Sequence, residues 1–212
     1  MATAVAEEIK PNSTKEKILT AAIELMAEGG YTGASMRKIA RKVGIRESAI
    51  YNHFRNKEEI FQTIMRNLFS NPFEDFFIKR PIEEYAVKGK AYLLEYAATI
   101  KLLTFDSKNE KFFRIILAEL MHNDQVRELF LKYFYHDNIK KLSNAFFIMM
   151  QHNLIRSADP ILMAQEFFAP LFYFRLQVLL LHIDQKPTTS LSTIFEKHVD
   201  FFWESIAIDG SY

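Results

Sequence analysis

Residues 35–53 read SMRKIARKVGIRESAIYNH. If Met36–Lys42 and Glu47–Phe54 are both helical, Ile39, Val43 and Ile50 face one another across a tight corner. Ala40 is small enough to let two helix axes approach, and Gly44 can take the positive φ that ends the first helix. Ser35 is the N-cap candidate, its hydroxyl oxygen taking an orphan backbone N–H. This is the pattern of a helix-turn-helix. The second helix exposes Arg46, Glu47, Ser48, Ala49, Asn52 and His53, small and polar groups suited to a major groove about 12 Å wide. Arg37, Lys38, Arg41, Lys42 and Arg46 crowd the same corner. A helical hairpin inside an ordinary core would share the apolar spacing but has no use for five cations.

Charge around this stretch points the same way. The whole chain of 212 residues carries a net charge of only +1, but residues 10–70 hold 11 Lys/Arg against 6 Asp/Glu. Residues 71–212 hold 16 against 18, so the basic character belongs to the N-terminal third. A local excess of cations is the footprint of a polyanion. Apolar residues make up 49% of the chain, enough for a core, and the 6 Gly and 6 Pro are too few for turn-rich β structure. Cysteine is absent, which excludes disulfide scaffolds and Cys-ligated zinc. No leader-like apolar segment opens the chain and no run of 18 apolar residues occurs, so a cytoplasmic protein is expected.

Outward from the corner, residues 1–12 read as disordered and Ser13 with Glu16 as a capping box. Ile18, Ala22, Leu25 and Met26 then form one helix face, which Gly29-Gly30 stops. Asn56 and Glu59 form a second cap, and the helix they open ends near Asn71-Pro72. Further helices are expected over 82–103, 110–121, 124–152, 160–182 and 190–206, with Asp159 and Ser190 as openers and a kink at Pro170. The expected fold is all-α: an N-terminal three-helix helix-turn-helix domain over 13–71, then a helical effector-binding and dimerisation domain over 72–212.

Residues 13–69 resemble the DNA-binding domain of the TetR/AcrR transcriptional regulators. The resemblance runs through Lys17-Ile18-Leu19, Ala21-Ala22, Gly30-Tyr31, Met36-Arg37-Lys38-Ile39-Ala40 and Val43-Gly44-Ile45. It continues through Ile50-Tyr51-Asn52-His53-Phe54 to Asn56-Lys57-Glu58-Glu59-Ile60. It implies that Arg37, Tyr51, His53 and Lys57 touch phosphates, while Arg46, Glu47, Ser48, Ala49 and Asn52 face the groove. The family usually has Ser at the place of Arg46 and commonly Lys, Gly and Thr at Glu47, Ser48 and Ala49, departures that bear on which operator is read.

Function follows from these two halves. No HExxH, GxSxG, P-loop or GxGxxG motif occurs, and His122, His136, His152, His182 and His198 have no ligand spacing, so neither an enzyme, a cofactor nor a metal is expected. The resemblance implies a homodimeric, ligand-responsive repressor on a palindromic double-stranded operator. The alternative is an architectural or division-associated DNA-binding factor without an effector. Phe167 to Leu180 is apolar around its whole circumference, and with Leu191 to Ile206 it is expected to form the dimer interface. Tyr92, Tyr96, Phe113, Leu117, Met121, His122, Met149 and Phe168 are the candidate lining of a pocket for a small apolar or aromatic effector. Arg175 offers a place for a carboxylate tail, or equally an intersubunit ion pair. The helix from Lys57 to about Ser70 is the expected lever between the two halves.

Overall fold

A computed structural model of the chain describes residues 13–69, 76 and 79–208. The readings of residues 1–12, of the helix end at Asn71-Pro72 and of the boundary at 71/72 lie outside those residues. The described residues are helical, with no β-strand beyond an isolated antiparallel bridge between Ile155 and Ala207. The described residues fall into two compact units: 13–69 with 111–123, and 76 and 79–110 with 124–208.

The first unit begins with α1 (Thr14–Gly33), opened by Ser13, whose Oγ accepts from the Glu16 N–H at 3.2 Å. Regular helix breaks at Gly29 and Gly30, where Gly30 takes φ 65°, ψ −173°. Ser35 caps α2 (Met36–Val43) through the Lys38 N–H at 3.2 Å. Gly44, at φ 80° and ψ 30°, closes it, and the N–H groups of Gly44 and Ile45 both reach the Ala40 carbonyl at 3.0 and 3.1 Å. The next helix, α3 (Glu47–Ile50), is shorter than the spacing over 47–54 predicts. The N–H groups of His53 and Phe54 fold back on the Ile50 carbonyl at 2.8 and 3.0 Å, so Tyr51–His53 form a turn instead. Asn56 opens α4 (Lys57–Phe69), its Oδ1 accepting from the Glu59 N–H at 2.9 Å. Glu59 returns its carboxylate to the Arg55 N–H at 2.7 Å, which holds that carboxyl below its usual range. Ile18, Ala22, Met26, Ile39, Ile50 and Ile60 are fully buried in this unit. Each large one contributes about 1.5–3 kcal/mol by leaving water.

In the second unit the expected helix over 82–103 is broken. A four-residue helix α5 (Ile82–Tyr85) tightens into a 3₁₀ turn at Ala86–Lys88, and Gly89 at φ 55° resets the chain before α6 (Lys90–Phe105). Next comes α7 (Ser107–Glu119), whose residues from Lys111 on belong with the first unit. Helix α8 (Asp124–Phe130) runs through a π-helical stretch, Leu131–Asp137, into α9 (Asn138–Gln151). Asp159 caps α10 (Pro160–Ile183) through the N–H groups of Ile161 and Leu162 at 2.8 and 3.3 Å. The last helix, α11 (Ile194–Ile206), starts later than the reading over 190–206; Ser190 lies in a preceding 3₁₀ turn and does not cap it.

The core of this unit is aromatic, with Tyr92, Tyr96, Phe146, Phe167, Phe195 and Trp203 fully buried. Helix α10 passes through Pro170 without interruption. Close to that proline the Phe167 carbonyl accepts from His198 Nε2 at 2.9 Å, which fixes the Nε2–H tautomer of the imidazole. Burial among rings pushes the His198 pKa down, against the pull of that carbonyl. Helix α10 is long and apolar enough to cross a membrane by length and composition, yet little more than a quarter of that stretch is buried. Met163, Phe167, Leu171, Val178 and Leu179 face the core, whereas Leu162, Tyr173, Leu180 and Ile183 stand in solvent. The apolar circumference read from the sequence therefore divides into a packed face and a bare one.

Candidate DNA-binding surface and effector-side residues

The helix-turn-helix places its cations unequally. The Lys38 ammonium donates to the Gly33 carbonyl at 2.7 Å, and Lys42 pairs with Glu24 at 2.8 Å. Lys57 Nζ donates to the carbonyls of Tyr31 and Ala34 at 3.0 and 3.2 Å and sits 3.8 Å from the Tyr31 ring centroid. Arg37, Arg41 and Arg46 are exposed, and their guanidinium groups have no ion-pair or hydrogen-bond partner among the described residues. The lysines hold the unit together while the arginines stay available to an outside anion. Arg41 is one of the five corner cations, but the sequence reading assigns it no DNA contact. The signal was there, since it follows Arg37 by four and shares its helix face.

The remaining groove candidates differ in exposure. Glu47, Ser48, Asn52 and His53 are exposed, Ala49 is half-buried, and Tyr51 is 52% exposed. Asn52 and His53 sit on the turn after α3 rather than on a continuing helix. A four-residue helix ending at a fully buried Ile50 makes a blunt tip, with Arg46 at its opening as N-cap.

Behind this tip the carboxylates are committed. Glu119 Oε1 accepts the Tyr31 N–H at 2.8 Å and would meet any Cβ at Gly30 at 3.1 Å. The Tyr31 hydroxyl donates to Glu58 at 2.8 Å, and burial together with that carboxylate pushes its pKa up to about 12. Glu24 lies between Lys42 and Lys111 at 2.8 and 3.6 Å, and the Lys42 hydrogen bond leads in holding its carboxyl below the usual range.

The effector candidates are divided between the two units. Phe113, Leu117, Met121 and His122 belong to the first unit, and Met121 and His122 lie exposed on a turn, Met121 at 76%. The sequence predicts both inside a pocket, but the helix ends at Glu119 and both lie on the exposed turn that follows. Tyr92, Tyr96 and Met149 are fully buried in the core of the second unit, with Phe168 packed against it. The Tyr96 hydroxyl donates to Asn138 at 2.7 Å; the Tyr92 hydroxyl is buried without a hydrogen-bond partner among the described residues. Burial pushes both phenols upward in pKa. Arg175 is also buried, its guanidinium carbon 6.0 Å from the Phe134 ring centroid, and burial lowers its pKa to about 10. Among the described residues no cluster of His, Cys, Asp or Glu is placed to hold a metal ion.

Comparison with known proteins matches these features. Residues 18–64 fit the family described as bacterial regulatory proteins, tetR family. The biofilm operon icaADBC negative transcriptional regulator IcaR of Staphylococcus epidermidis is 37% identical over 75 residues, 35% of this chain and 40% of that protein. The transcriptional regulator UidR of Escherichia coli K12 is 32% identical over 114 residues, 53% of this chain and 55% of its own length. The chain thus spans about half or less of these curated relatives. The fold extends further: the crystal structure of FadR from Bacillus subtilis with stearoyl-CoA superposes with a TM-score of 0.60 at 24% identity, covering 90% of this chain and 98% of that one. These relatives are regulators rather than enzymes. Residues 18–64, which hold the capped helix-turn-helix and its three unpaired arginines, are thus similar to the tetR family of bacterial regulatory proteins, and the chain shares the helical fold of the FadR structure.

Proposed function

We propose that the protein is a ligand-responsive DNA-binding transcriptional regulator, a repressor released from a palindromic operator by a small apolar or aromatic effector. The observation that carries the reading is the separation of cations: Arg37, Arg41 and Arg46 lie unpaired around α3 while Lys38, Lys42 and Lys57 serve the fold. Arg37 and Arg41, one helical turn apart, position the unit on phosphates, with Tyr51 and His53 beside them. Arg46, Glu47, Ser48, Ala49 and Asn52 read base edges, the guanidinium favouring guanine and the carboxylate a cytosine amino group.

Dimerisation follows from the bare face of α10. Tyr173 and Leu180, together with Phe201 at 75% exposure on α11, form a surface that a second copy would cover, and two-fold symmetry then requires a two-fold operator. The effector acts in the second unit, where the unpartnered Tyr92 hydroxyl and the buried Arg175 offer polar anchors in an aromatic core. The FadR structure carries an acyl-CoA, consistent with a fold that accepts an apolar tail. Such a ligand must favour the DNA-incompetent arrangement by about 1–3 kcal/mol to release the operator. The full packing of Tyr92, Tyr96 and Met149 favours the second reading, a DNA-binding factor without an effector.

The test is operator selection followed by titration. Arg46→Ala should weaken the selected site by roughly 1–3 kcal/mol and relax one base position. Arg41→Ala should weaken all sequences alike and make the salt dependence shallower by about 0.9 in slope. Wild-type affinity in both variants would refute the assignment. An operator affinity that no apolar compound changes would leave the effector-free reading standing.

A further inference from the structure

The junction before α6 holds a feature that DNA binding does not use. Gly89, at φ 55° and ψ −120°, is the N-cap of a 16-residue helix and supplies no capping side chain. Its carbonyl accepts from the Tyr92 and Leu93 N–H groups, while the N–H groups of Lys90 and Ala91 have no partner among the described residues. A Cβ at Gly89 would lie 2.7 Å from Trp203 Cη2, so both the backbone conformation and the indole demand glycine here. Beside this turn opens a groove of about 440 Å³, walled by Val87, Ala91, Leu94, Leu154 and Trp203, with Lys88 and Lys90 on its rim. Trp203 is 2% exposed, and its Nε1–H is buried without a hydrogen-bond partner among the described residues.

These features are complementary to one kind of molecule. Two ammonium groups and the open N-terminus of a long helix favour an anion. Lys90 is 2.9 Å from Asp200, and Lys88 lies 3.7 Å from the Tyr85 ring centroid, so a single carboxylate opposes two cations. An indole N–H left without an acceptor is an unmet donor, and a ligand oxygen is the group that would satisfy it. The rest of the groove is aliphatic and aromatic and offers nothing to sugar hydroxyls or to a base. Its volume falls toward the low end of small-molecule clefts, roughly 300–1,000 Å³.

We propose that this groove is a second ligand site, distinct from the effector-side residues above, which binds the carboxylate of a medium-chain amphiphilic acid. The carboxylate sits over the Lys90 and Ala91 N–H groups between the two lysines and accepts the Trp203 Nε1–H. The chain lies along Leu94, Leu154 and the indole face.

The only tryptophan of the chain is a wall of the groove, so its fluorescence reports occupancy directly. The full-length protein is titrated with decanoate below its micelle concentration, with decanol as the neutral control. The expected result is a saturable change in Trp203 emission, at least tenfold weaker affinity for decanol, and at least tenfold weaker decanoate binding in the Lys88→Gln/Lys90→Gln double variant. Calorimetry on Trp203→Phe, which keeps an aromatic ring and loses the N–H, should show binding weakened several-fold with the helical circular dichroism retained. An unchanged emission spectrum, or equal binding of decanoate and decanol unaffected by the double substitution, overturns the proposal. So does calorimetric binding of decanoate that leaves Trp203 emission unchanged, since that places the acid elsewhere. None of these outcomes depends on operator affinity, so the site and the repressor reading fail separately.

Discussion

Replacing Lys57 by methionine separates a structural role from a DNA-contacting one at a single position. The methionine keeps the apolar stem and deletes the ammonium, which in this structure donates to the Tyr31 and Ala34 carbonyls at 3.0 and 3.2 Å and stacks on the Tyr31 ring. Each hydrogen bond from a charged donor is worth about 1.5–3 kcal/mol when fully buried. Lys57 is half-buried and water can reclaim part of each carbonyl, so about 1 kcal/mol apiece is the reasonable figure. The ring contact adds about 0.5 kcal/mol at such a site. A loss of about 2.5 kcal/mol corresponds to a roughly 70-fold fall in hydrogen-exchange protection, read at the amides of α1 and α4. Operator titrations between low and moderate salt should keep the wild-type slope, because the ammonium is already held by carbonyls of its own unit. Intact protection together with a slope shallower by about 0.9 would refute this reasoning and return Lys57 to the phosphate-contacting role that the resemblance implies.

Gly44→Ala should destabilise the protein by about 1 kcal/mol in urea titration, because φ 80° strains any residue with a Cβ. Nothing lies within 4 Å of that Cβ, so a much larger loss would mean that the corner is packed differently. Glu24 has its pKa lowered in the folded chain, so the stability it contributes is present above the ordinary carboxyl value of 4.5 and is lost as pH falls through the folded value. The melting temperatures of wild type and Glu24→Gln should therefore differ at neutral pH and converge in acid; a constant gap would contradict the Lys42 pairing. Leu180→Glu with Phe201→Glu should convert a particle of twice 24.9 kDa into a monomer in light scattering, with little change in helical content. A dimer that survives both charges would place the interface on another face.

Much of this molecule was legible in the chain because the relevant physics acts over three or four residues. Ser13, Ser35, Asn56 and Asp159 each cap the backbone N–H groups just ahead of them, and Gly44 takes its left-handed turn next to the Ala40 carbonyl it serves. Those choices depend on local backbone geometry, which sequence spacing encodes directly. Gly89 escaped notice because a lone glycine inside an apolar run also fits a continuous helix; its reason, the indole of Trp203, lies 114 positions away. The same holds for charge. Five cations crowd residues 37–46, and nothing in their order tells which are spent internally. Lys42 is answered by Glu24 on α1, Lys57 by carbonyls more than twenty residues upstream, and the Tyr31 amide by Glu119, 88 residues on. Helix formation and capping were thus set by neighbours along the chain. Which cation remains open to an outside anion was decided by tertiary packing, since only folding brings a partner acceptor within hydrogen-bond reach of one ammonium and leaves a nearby guanidinium in water.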